Sequence, residues 1–84
     1  MLRIRGIDHV VLTASNIPAT VDFYERVLGM RPYTFADGTR TALAFAGQKF
    51  NLHELGREIL PNARVALPGS ADLCLLVDTP MDLV

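Results

Sequence analysis

The feature that most restricts the fold of this chain is a passage from extended chain into helix that occurs twice. Residues 9–21 read HVVLTASNIPATV and residues 72–84 read DLCLLVDTPMDLV. Each runs from one polar residue through an apolar strand to a capping residue, Asn16 or Thr79, and then a helix start, at an offset of 63 residues. A unit repeated at that period predicts a two-copy chain of about 126 residues. The 84 residues then hold one unit and the opening of a second. A second-copy strand without its sister strands leaves Leu73, Leu75, Leu83 and Val84 little to pack against, and an unpaired edge. The expectation is a fragment of a longer protein, with completion by another chain as the alternative.

Within the first unit the periodicities are clear. Residues 7–13, IDHVVLT, are rich in β-branched side chains and read as a strand. Alternation puts Ile7, His9, Val11 and Thr13 on one face and Asp8, Val10 and Leu12 on the other. Ser15 and Asn16 offer capping oxygens, and Pro18 is tolerated in a first turn, where its missing N–H has no partner to lose. Ile17, Val21, Tyr24 and Leu28 form an apolar helical stripe widened by Phe23 and Val27, and Gly29 supplies a left-handed cap. Three short strands follow. Residues 31–35 include Pro32, which suits an edge; Asp37-Gly38 turns the chain into residues 41–45; Gly47-Gln48 turns it into residues 49–54. There Phe50 and Leu52 alternate with Asn51 and His53, which share a face.

The order is βαβββ, an α+β module spanning residues 1–55. Residues 56–70, broken by Gly56, Pro61, Asn62, Pro68 and Gly69, read as a connector with a helical turn near residues 57–60. Residues 71–84 read as the start of a second, incomplete module: a strand from Ala71, then a helix opened by Pro80 after the capping oxygens of Asp78 and Thr79.

Composition removes several classes of function. The net charge is −1, and Arg3, Arg5, Arg26, Arg31 and Arg40 are scattered along the chain, so no basic stripe points to nucleic acid or an anionic membrane. No apolar run approaches the roughly 20 residues that span a bilayer. The single cysteine, Cys74, permits no internal disulfide and favours a reducing cytoplasm; within an apolar run it reads as a small buried hydrophobe.

The segment IDHVVLTASNIPATVDFYERVLGM resembles the opening of glyoxalase I, bleomycin-resistance and extradiol-dioxygenase-like proteins, the vicinal oxygen chelate superfamily. The features that carry the resemblance are His9, Phe23-Tyr24 and Leu28-Gly29, followed by KFNLHE and PGSADLCLLV, so it covers nearly all of the chain. The resemblance implies two βαβββ modules curving around a cavity. It also implies a divalent metal held from the first and fourth strands of each module. Carried over by position, the ligands fall on His9, on Asp72 by the 63-residue offset, and on His53, or on Asn51 if the register slips by two. A fourth ligand, commonly a glutamate, would lie beyond Val84.

Imidazole and carboxylate donors suit Zn, Ni, Fe or Mn, with no preference readable from ligand type. The implied function is metal-dependent lyase, isomerase or dioxygenase chemistry on a small oxygenated metabolite, in a homodimer. Asn51 is then a substrate contact. The alternatives are a metal-free, drug-sequestering binding protein of the same fold and an inactive truncated module.

Overall fold

The computed structural model describes residues 1–80. Five elements follow one another: β1 (His9–Ala14), α1 (Ile17–Arg26), β2 (Arg31–Phe35), β3 (Arg40–Phe45) and β4 (Gln48–Glu54). They form one four-stranded sheet in the order β1-β4-β3-β2, with β1 parallel to β4 and the other pairs antiparallel. The βαβββ order expected from the sequence is therefore present.

Local chemistry explains each junction. The Asn16 side chain accepts the Ala19 N–H at 2.9 Å, capping α1 at its start. At the other end Gly29 adopts φ +69°, and its N–H donates to the Glu25 carbonyl. The β2–β3 turn carries Ala36 and Asp37 at positive φ and closes with a bond from the Gly38 N–H to the Phe35 carbonyl. Between β3 and β4 the two-residue loop Ala46-Gly47 has positive φ at both positions, the turn whose twist matches a right-twisted hairpin.

The sheet is two-faced. Leu12, Leu43, Phe50 and Leu52 are buried with Met30 against α1, where Ile17, Val21 and Tyr24 complete the core. Tyr24 stands edge-on to Phe50 with ring centroids 5.9 Å apart. Phe23, expected to pack in the same layer, is 47% exposed and meets Tyr24 edge-on from outside.

Three expectations for the C-terminal part are corrected. Residues 57–60 contain no helical turn. Residues 71–77 are extended in composition yet join no ladder among the described residues, because an isolated strand leaves its N–H and C=O groups unpaired and gains nothing by straightening. Cys74 consequently lies exposed instead of buried. The helix expected from Pro80 runs into residues 81–84 and so lies outside the described residues.

Candidate functional site

The face of the sheet away from α1 is organised by register into three rows. At one end His9, Lys49, Ala44 and Arg31 lie side by side across the four strands. The middle row is Val11, Asn51, Ala42 and Tyr33. In the last row Thr13 pairs with His53, Arg40 pairs with Phe35, and the Arg40 Nη2 lies 3.4 Å from His53 Nε2.

Asn51 and His53 thus share this face, and both are buried, at 5% and 2% exposure. Their burial is unusual for polar side chains because it is not compensated. Asn51 Oδ1, His53 Nδ1 and Arg40 Nε are all sealed from solvent and have no hydrogen-bond partner among the described residues. A buried polar atom without a partner costs about 1–3 kcal/mol, so three in one place mark a spot built for something more than packing. The Arg40 Nη2–H donating to His53 Nε2 leaves the ring proton on Nδ1, one of the three orphans. Burial first, then the adjacent Arg40 guanidinium, holds the His53 imidazole below histidine's ordinary pKa; the Glu58 carboxylate, from the segment after β4, pulls weakly the other way. His53 is therefore neutral at pH 7.

His9 sits in a different setting. It is exposed, and its Nδ1 donates to Asp8 Oδ2 at 2.8 Å, while Lys49 Nζ lies 3.8 Å from the same oxygen. The His9 bond and the lysine's charge hold the Asp8 carboxyl below its usual value.

The metal site expected from the sequence depends on one ion bridging His9 and His53. The register separates them: His9 is level with Lys49 and His53 with Thr13. Four residues along a strand amount to about 13 Å, whereas nitrogens sharing one ion at about 2 Å each lie within roughly 4 Å of one another. Asn51 is nearer, two positions from the level of His9, but it offers an amide where transition metals favour imidazole or carboxylate. Asp72 lies in the exposed run after the connector and joins no cluster. Among the described residues no group of three His, Cys, Asp or Glu side chains is placed to hold a metal ion. The donors present do not fit a complete metal centre.

Sequence reasoning missed Arg31, Arg40 and Lys49, which it took as dispersed or did not single out. The signal was available: Arg31, Tyr33 and Phe35 on β2, and Lys49, Asn51 and His53 on β4, occupy alternate positions on the face opposite the core.

A four-stranded βαβββ sheet with its helix on one face and a polar, partly orphaned set of side chains on the other defines a glyoxalase-type module. The family model of the Glyoxalase/Bleomycin resistance protein/Dioxygenase superfamily matches residues 6–82, and the chain belongs to that family. It is similar to virulence protein STM3117 of Salmonella typhimurium, 50% identical over 76 residues, covering 90% of this chain and 52% of that protein. It also resembles the glyoxalase domain-containing protein RDO1 of Mycosarcoma maydis, 47% identical over 76 residues, covering 90% of this chain and 42% of the relative. The chain spans about half the length of these relatives. Among solved structures, the crystal structure of STM3117 superposes with a TM-score of 0.92 at 48% identity, covering 98% of this chain and 64% of that one. An integron cassette protein from the mobile metagenome of V. Cholerae gives 0.91 at 48% identity, covering 99% and 64%.

Proposed function

We propose that this chain supplies the small-molecule-binding face of a glyoxalase-like protein, and that the ligand is recognised at the sheet face bearing Asn51, His53 and Arg40. The observation that carries this reading is the set of three sealed, unpartnered polar atoms on those residues. A hydrogen-bonding guest satisfies donors and acceptors that the fold leaves unpaired. The guest is a small oxygenated molecule, and Asn51 and His53 select its oxygen pattern.

A second reading, metal-dependent lyase, isomerase or dioxygenase chemistry, draws support from the Asp8–His9 pair. A carboxylate taking Nδ1–H fixes the tautomer that leaves Nε2 free for a metal, as second-shell carboxylates do. When bound, a divalent ion supplies Lewis-acid stabilisation of a substrate oxyanion. In this reading His9 is one ligand, and the others come from outside the described residues. Under either reading the chain works as a homodimer in a reducing cytoplasm. The exposed apolar side chains of Leu73, Leu75, Leu76 and Val77 support the pairing, and a lone cysteine supports the compartment.

Amide chemical shifts followed while a panel of dicarbonyls, catechols and hydroxy acids is added, with and without Zn²⁺, Ni²⁺, Fe²⁺ or Mn²⁺, test the proposal. Perturbations centred on β4 at Asn51 and His53 are expected. Perturbations confined to the helix face, or none with any compound, would remove this face as the site.

A further inference from the structure

Resting on that reading of the sheet face, we infer that its ligand is an anion, a small molecule whose carboxylate or phosphate group seats between Arg31 and Lys49, one row and about 7 Å along the strand from Asn51. The charge distribution carries the inference. The twelve strand side chains on the face away from α1 include Arg31, Arg40 and Lys49 together with His9 and His53 and no carboxylate, the acidic groups Asp8 and Glu58 reaching it only from outside the strands. The chain as a whole has nine acidic residues against eight basic ones, so this segregation runs against its composition.

The geometry gives the anion a place. Arg31 and Lys49 flank Ala44 in the first row, and its methyl group leaves room between the two longer side chains. A cavity of about 590 Å³ opens there, lined by Arg31, Lys49, Tyr33, Ala44 and Asp8 among others. Neither Arg31 nor Arg40 has a carboxylate partner among the described residues. Deeper on the same face, Arg40 lies 4.9 Å from the Phe35 ring centroid, and Lys49 Nζ lies 6.0 Å from the same ring, so the aromatic ring holds the two cations on one side of the sheet. Like charges kept together, two of the three without a counter-ion among the described residues, raise the local potential, and an anion lowers it. Asp8, at the rim, is the opposing charge: it sits 3.8 Å from Lys49 and competes with any anion for that ammonium.

Calorimetric titration of the chain with inorganic phosphate, in EDTA and at low ionic strength, tests the assignment. Arg31→Gln/Lys49→Gln should weaken phosphate binding at least tenfold, and Arg3→Gln/Arg26→Gln, which removes the same charge from the N-terminal segment and the exposed side of α1, should leave it unchanged. Asp8→Asn should strengthen it severalfold. Circular dichroism of each variant checks that the sheet is retained. Equal weakening in both double variants, or tighter binding of neutral dicarbonyls than of phosphate at the same face, overturns the anion inference while leaving the face as the binding site. Phosphate shifts mapping only to the helix side overturn both.

Discussion

His53 is the residue where burial, charge and function meet. Its face was legible in the sequence, because alternation along β4 sends Asn51 and His53 opposite to Phe50 and Leu52. Its level on that face was not. A period of two fixes which side a residue points to, yet a slip of two residues preserves the side and moves the residue about 7 Å. That is why the histidines could be placed on one surface from sequence while their separation could not. The low pKa of His53 has a consequence for stability. Its folded value lies below the unfolded one, so the unfolded chain binds the extra proton first as pH falls through about 6.5. Stability is then full above that pH and declines below it, by no more than about 1.4 kcal/mol per pH unit from this one group. Asp8 and Glu58, both held below their usual carboxylate values, act in the opposite range and add a loss only at more acidic pH. Urea midpoints at pH 7.5 and 5.5 should show a fall for the parent and a smaller one for His53→Gln. A parent midpoint independent of pH over that interval would show that the imidazole gains its proton without penalty.

At the level of elements, the junctions were the most readable parts of the chain. Gly29, Asp37-Gly38 and Gly47 each announce a left-handed backbone that few other residues adopt at low cost, Asn16 announces a side chain that caps α1, and each lies where the chain turns. Strand pairing was less readable. The parallel match of β1 with β4 brings together segments 40 residues apart, and nothing within either segment names its partner. Residues 71–77 show the reverse error: strand composition without a strand, since pairing needs a neighbour that these residues do not find. The β3–β4 hairpin holds one local conflict, Ala46 at φ 45°, where a methyl group crowds the following carbonyl. Asparagine tolerates that region and makes Asn-Gly, the favoured pair for this turn. Ala46→Asn should therefore stabilise the chain by about 0.5–1 kcal/mol, read as a rise in the thermal midpoint. A lower midpoint would mean that the alanine methyl contributes packing that outweighs its strain.

For the whole molecule, the balance of apolar surface decides how the chain exists in solution. One helix on one side of a four-stranded sheet buries a small core, and the largest fully buried side chain is Leu43. Outside it, Leu73, Leu75, Leu76 and Val77 stand exposed, Leu76 at 98%, and the run 74–77 borders a groove of about 450 Å³ with Leu28, Met30 and Phe45. Apolar surface gathered in one strip is rare on a protein that remains alone in water, and burying it yields about 25 cal/mol per Å². The proposed homodimer would cover both strips at once across a twofold, each strip meeting its own equivalent or the groove beside it. Sedimentation velocity of the 84-residue chain should accordingly give a coefficient that rises with concentration. Leu75→Lys/Leu76→Lys should remove that dependence and leave a monomer. Because both leucines lie outside the core, the unfolding free energy of the isolated subunit from urea titration should change by no more than about 0.5 kcal/mol. If the charged variant associates as strongly as the parent, the contact lies elsewhere, and the open edge of β1 becomes the surface to block next, with a proline at a strand position that needs its N–H.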